Sequence, residues 1–315
     1  MARIHLALGC GYYDLTRALM DGSVVPEGID LTYINLPYPE LGIRSLRGEF
    51  DVAETGMAPY LAAKSHRKPL VAIPVFPFRK FRHSYVFCNT TARIREPRDL
   101  EGKKIGLTTY QNTAAVWVRG HLEHDYDVRL RNIKWYTAKD ERIEMAFPRN
   151  LLVQRIPKGA TLDSLLAEGK LDAAITPFLL PSFARSSPRV KRLFQDHKQV
   201  EIEYFRRTGI FPIMHTITIR EQIIQKHQWV AVSIMKAFRR AKSVCYEYRD
   251  DPPLSFAWIQ SLAEEERKLL GEDPYPYNMK DNRKALETLM EYCAQQGVTD
   301  RVMGVEELFA ENTLQ

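Results

Sequence analysis

Strand and helix signals alternate along this chain, and that alternation restricts it to an α/β architecture more than any other feature does. Ile4, Leu6 and Leu8 recur at every second position, as along one face of a strand. A turn at Gly9-Cys10-Gly11 follows, then a helix from about Leu15 to Met20. Asp30 to Leu36 reads as a second strand, and Phe50 to Ala53 as a short buried strand that ends at Glu54-Thr55-Gly56. Pro59 to Lys64 opens another helix, with proline near its first turn. Leu70 to Pro77 and His83 to Asn89 are β-rich, and Ile105-Gly106, Ile133 to Thr137, Leu151 to Ile156 and Leu171 to Ile175 read as strands of a second lobe. A helix from about Thr113 to Tyr126 lies among them.

Ile213 to Arg220 again alternates as a strand and is read as the return to the first lobe. From Trp229 to Arg249, Val230, Ile234, Phe238, Ala241, Cys245 and Tyr248 repeat in helical steps, with Lys236, Arg239, Arg240 and Lys242 on the remaining face. Asp251-Pro252-Pro253 should stop that helix, and further helices are expected over Leu254–Leu270 and Arg283–Gln296. The sequence thus predicts two lobes, each a mixed sheet flanked by helices, joined by two hinge crossings: residues 1–87 with 213–315, and residues 88–212. Ligands in such folds bind beyond the carboxyl ends of the strands, which places the expected site in a cleft between the lobes.

A length of 315 residues is ample for two cores. The formal charge is +6, but its basic residues are dispersed among acids and no helix-turn-helix segment stands out, so no nucleic-acid partner is expected. The longest apolar run, Leu70 to Phe78, is broken by Pro74 and Pro77, so no membrane partner is expected either. Cys10, Cys88, Cys245 and Cys293 show neither CxxC nor metal-site spacing, which fits free thiols in the cytoplasm. A homo-oligomer is the expected assembly.

Longer blocks carry a family resemblance. They are Asp21 to Leu31, Phe50 to Glu54, Ala72 to Pro77 with Arg79, Phe81, Arg82, His83 and Ser84, Tyr110 to Gly120, Arg206 to His215, Pro276-Tyr277 and Val305 to Phe309. In these the chain resembles the 4,5-dihydroxyphthalate decarboxylase family, a branch of the type 2 periplasmic-binding-protein fold, over nearly its full length. The resemblance implies a carboxy-lyase that converts a hydroxylated aromatic dicarboxylate to protocatechuate and CO2. The alternative is a non-catalytic solute-binding protein that feeds a carboxylated ligand to a transporter, because fold alone does not fix function. A different lyase, a hydrolase or a biosynthetic enzyme on the same scaffold is a third reading.

Such a reaction needs a grip on a carboxylate and groups that move protons. Arg79, Arg82 and Arg17 are the candidate carboxylate ligands, against the competing reading of a solvated basic turn. His83 and His215 lie near the two crossings and are the candidate proton carriers, against that of hydrogen-bonded histidines on buried strands. Glu54 and Asp14, each placed after a strand, are candidates to accept a phenolic proton or bind the catechol. A helix cap or a surface acid is the competing reading for both. Gln111, Asn112 and Thr113 precede a helix whose start could favour an anion, a geometry that serves plain capping equally. Trp117 faces either ligand or core, and Pro177-Phe178 could form an aromatic wall. His121 and His124 lack an acidic third ligand. No cofactor is expected; a divalent ion on the catechol oxygens stays open, with no ligand set identified.

Overall fold

The computed structural model describes residues 3–145, 147–250, 252 and 255–314. The chain forms two compact units: Met1–Arg79, Ile213–Glu287 and Met303–Gln315 make the first, and Lys80–Pro212 with Thr288–Val302 the second. Following the chain, the first unit contributes strands β1 (Ile4–Cys10), β2 (Ile29–Asn35), β3 (Val52–Gly56) and β4 (Leu70–Ile73). The second contributes β5 (Val86–Asn89), β6 (Lys104–Leu107), β7 (Lys134–Thr137), β8 (Leu152–Arg155), β9 (Ala173–Ile175) and β10 (Val190–Arg192), and β11 (His215–Arg220) belongs to the first unit again. Sequence alone places the outward crossing near residue 88 and keeps residues 213–315 together. The structure moves that crossing to Arg79 and assigns 288–302 to the second unit. The reason is packing: Gln296 accepts from Arg119 Nε at 2.8 Å, and the Tyr292 ring meets that of Trp117 edge-on at 5.7 Å.

The first unit has a five-stranded sheet in the order β2-β1-β3-β11-β4. β1 is parallel to β2 and β3, whereas β11 runs antiparallel to both β3 and β4. β3 is buried along its whole length, which fits a central strand. The helix Trp229–Tyr246 covers one side and buries Val230, Ile234, Phe238 and Ala241, the positions marked by helical periodicity. Each such side chain contributes about 1.5–3 kcal/mol when fully removed from water. Cys245 is only partly buried and Tyr248 is exposed. Lys242 is a correction to the expected polar face. It is buried, and its ammonium is satisfied by the Asp273 carboxylate and the Tyr275 carbonyl. The helix ends at Tyr246, ahead of the expected Asp251-Pro252-Pro253 stop, of which Asp251 and Pro253 lie outside the described residues. The next helix begins at Ile259; Leu254 also lies outside them.

The second unit has a six-stranded sheet in the order β10-β5-β9-β6-β7-β8. β6 is parallel to β7 and β9, while β5 is antiparallel to β9 and β10. Its helix Thr113–His124 is buried from Thr113 to Leu122, because sheet, loops and the helix Arg283–Gln295 supply packing around it. Trp117 is fully buried, which resolves its two readings in favour of the core. Among the described residues, no helix is long and apolar enough to cross a membrane.

Candidate active site

Register in the first unit's sheet brings two of the candidate residues together. In the antiparallel pairing of β3 with β11, Glu54 stands opposite Ile217 and His215 opposite Gly56. Glu54 and His215 are therefore diagonal neighbours on one face, a separation that long side chains span. The imidazole Nδ1 of His215 bonds Glu54 Oε1. Sequence reading puts Glu54 just past the end of its strand. The structure places it in the middle of β3, fully buried, with every strand position around it enclosed.

A carboxylate at such a position must be compensated by donors. Tyr13 Oη donates to Oε1 at 2.6 Å, the Gly11 amide donates to Oε2 at 2.8 Å, and Cys10 Sγ lies 3.6 Å from Oε2. Burial alone would push the Glu54 carboxyl up. The charge and hydrogen bond of His215, the Tyr13 phenol and the Gly11 amide outweigh it and hold Glu54 below the usual carboxylate range. Burial and then the Glu54 charge push the Tyr13 phenol up, so it remains a donor. Gly11 is required by close approach: a Cβ there would stand 2.9 Å from the Tyr13 ring and 3.1 Å from Glu54 Oε2.

Aromatic rings fix the histidine. Tyr38 stacks on it with centroids 3.9 Å apart, and Phe78 lies 5.0 Å away on a tilt. Phe78 in turn stacks on Tyr13 at 5.5 Å. Tyr13 and Tyr38 also line an open pocket of about 380 Å³, together with Gly11, Tyr12, Asn35, Leu36 and Pro37. These segments follow β1 and β2, so the pocket lies at the carboxyl ends of two parallel strands. Sequence reasoning missed Tyr13 and Tyr38. The signal that could have found them is their place immediately beyond those strands.

Asp14 and Arg79, also of the first unit, bond other partners. Asp14 is exposed and its carboxylate accepts from the Leu15 amide at 2.8 Å, a turn-capping bond. Arg17 is exposed on the short helix Arg17–Met20. Arg79 is buried, bonds Asn282 Oδ1 and lies 5.6 Å from the Phe76 ring centroid. Burial brings its guanidinium down to about 10.

In the second unit, His83 is 2% exposed and sits among aromatic rings. It stacks on His121 at 4.8 Å and meets Phe194 and Tyr204 at 5.3 and 5.5 Å. Burial, then the neighbouring His121, hold it well below the usual imidazole range. This placement favours a core role for His83 over proton delivery to a ligand. Arg82 is likewise buried, donates to the Pro177 carbonyl at 3.1 Å, and is brought down to about 10 by burial. Phe178 is half exposed.

The start of the helix Thr113–His124 is also engaged internally. Asn112 is its N-cap, accepting from the amides of Ala114 and Ala115 at 3.1 and 3.4 Å. Gln111 exchanges hydrogen bonds with the backbone of Ile143, and Thr113 is buried. The Glu141 carboxylate accepts from the amides of Tyr110 and Gln111 at 2.6 and 2.8 Å. Glu141 was not legible in the sequence, because it lies in an irregular stretch distant from the helix. Among the described residues, no three His, Cys, Asp or Glu side chains are grouped to hold a metal ion.

Comparison with known proteins follows the same lines. No protein-family model matches the chain. Its fold is shared with the periplasmic aliphatic sulphonate binding protein of Escherichia coli, at 14% identity and a TM-score of 0.58 over 99% of each chain. A putative sulfonate ABC transporter's periplasmic sulfonate-binding protein from Methylobacillus flagellatus gives a TM-score of 0.59 at 12% identity, covering 98% of this chain and 92% of that one. Likenesses at such low identity establish the type 2 periplasmic-binding-protein fold. In sequence, the chain is 32% identical to the 4,5-dihydroxyphthalate decarboxylase of Pseudomonas putida over 214 residues, 65% of this chain and 83% of that one. It is also 32% identical to the 4,5-dihydroxyphthalate decarboxylase of Comamonas testosteroni over 320 residues, 98% of this chain and 97% of that relative. At that identity over nearly its full length, the chain belongs to the 4,5-dihydroxyphthalate decarboxylase family.

Proposed function

We propose that this protein decarboxylates 4,5-dihydroxyphthalate, or a closely related hydroxylated aromatic dicarboxylate, and that Glu54 and His215 move the proton. The observation that carries the reading is the buried Glu54–His215 pair beside a tyrosine-lined pocket, in a chain of this family. In the substrate each carboxylate lies para to a hydroxyl. Once a phenolic proton is removed, the oxygen's electron pair is pushed into the ring and the para carbon takes up a proton. The bond to the carboxylate then breaks, its electron pair restores the aromatic ring, and CO2 leaves. The resulting phenolate is reprotonated, so one proton is consumed per turnover and protocatechuate remains. The substrate's own phenolate supplies the electron density, so the step requires no organic electron sink.

His215 suits one of these transfers. Its Nδ1 is committed to Glu54, which orients the ring and stabilises an imidazolium. The four free cysteines, three of them buried, support a reducing compartment and hence the cytoplasm.

The test is incubation with 4,5-dihydroxyphthalate, following CO2 and protocatechuate, with wild type and His215→Ala in parallel. Turnover by the wild type that collapses in the variant is the expected result. Tight binding with no CO2 would favour the solute-binding reading that the fold also supports.

A further inference from the structure

We infer that Tyr13 is a positioning residue for this site: by donating to the same carboxylate oxygen that bonds His215, it sets how tightly Glu54 holds the imidazole proton. The inference rests on the proposed role of His215, and it adds the residue that regulates that role.

The geometry is specific. Glu54 Oε1 receives both Tyr13 Oη, at 2.6 Å, and His215 Nδ1. Oε2 is occupied separately by the Gly11 amide and approached by Cys10 Sγ. Each donor on Oε1 therefore draws on the same negative charge. The Tyr13 ring stacks on Phe78 and lies over the bare backbone of Gly11, where a Cβ would stand 2.9 Å from it. The titratable groups around the Glu54–His215 pair include Tyr13 just past β1, Cys10 at the end of β1, Tyr33 from β2 and Tyr38 from the following helix. Tyr33 acts at one remove, donating to the Gly11 carbonyl at 2.7 Å. Of these, Tyr13 shares Oε1 with the imidazole.

Removing the hydroxyl leaves the carboxylate less satisfied and therefore more attractive to the imidazole proton. Tyr13→Phe keeps the ring, its stack and its packing. The test reads two quantities across pH: the ring resonances of His215 in protein with isotope-labelled histidine, without substrate, and kcat and KM for decarboxylation. The expected result is that the imidazole midpoint and the limb of kcat that His215 governs both move up by about one pH unit, with KM changed less than about twofold. Midpoint and limb both unmoved would overturn the inference and leave Tyr13 as packing. A change confined to KM would also overturn it, by making Tyr13 a ligand contact. Should Tyr13→Phe fail to fold, 3-fluorotyrosine at this position is the second variant. Its stronger phenol donor should move the midpoint down, and an upward or null movement would overturn the inference. The resonance measurement needs no turnover. A protein that releases no CO2 but shows the shift would sink the decarboxylase reading alone.

Discussion

Tyr38 lies almost flat on the imidazole of His215, with centroids 3.9 Å apart and planes 18° from parallel. The tyrosine comes from the helix Tyr38–Leu46, which starts directly after Pro37, and proline also occupies the position after it. Tyr38→Ala should lower kcat by roughly tenfold while Tyr38→Phe stays near wild type, because an aromatic pair contributes about 0.5–1.5 kcal/mol beyond its buried area. Steady-state kinetics on both variants check this. Equal losses in the two would point to the hydroxyl rather than the ring face.

Glu54→Gln preserves shape and removes the charge. Turnover should fall by about 10²–10⁴-fold, the usual worth of positioned proton transfer. Stability should also fall, by about 3–5 kcal/mol, since one partner of a buried charged pair is lost. Rate assays with chemical denaturation test both. A fully active Glu54→Gln would remove the carboxylate from the mechanism.

The Glu54 carboxyl is held below its ordinary value in the folded chain. Its contribution to stability is therefore complete above the unfolded carboxylate range and is lost as pH falls through the depressed folded value. Two buried histidines of the second unit act in a higher window. His83 and His121 are both held below the ordinary imidazole value, chiefly by burial, with Asp125 opposing this for His121 at 3.3 Å. Below about 6.5 the unfolded chain binds protons that the folded chain refuses, so stability falls as pH drops from there towards the folded values. Melting temperatures between pH 7.5 and 5 should decline, and His83→Phe should flatten the decline. An unchanged slope would mean that other groups carry it.

Gly120 sits on the helix Thr113–His124 where a Cβ would collide with the ring of Tyr292. Gly120→Ala should destabilise the protein by about 1–3 kcal/mol despite alanine's better helix propensity. Adding Tyr292→Ala should cost less in the Gly120→Ala background than in wild type. Additive losses in this double-mutant cycle would show that the collision is relieved elsewhere.

Much of the fold was readable because hydrophobic period and turn residues agree. Ile4, Leu6 and Leu8 lie in β1, and Val230, Ile234 and Phe238 face the core. The helices Tyr38–Leu46 and His197–Thr208 went unread, and so did β10, which has three residues and a weak pattern. The chemistry of Glu54 and His215 marks both in the sequence, but their contact depends on strand register, which no local pattern encodes. Arg79, Arg82 and His83 stood out as a polar cluster, whereas all three side chains are buried. Adjacent residues at a crossing between units point in different directions, and sequence spacing does not reveal which way.

β11 lies between β3 and β4 in the first sheet, although β4 ends at Ile73 and β11 begins at His215. During synthesis the early strands therefore wait for their central neighbour while more than a hundred residues emerge. Until then Glu54 lacks the imidazole that neutralises it, and β3 has an unpaired edge. The nascent first unit is thus the vulnerable stage of this protein's life, and an N-terminal fragment ending before His215 should need a chaperone rather than act as an independent domain.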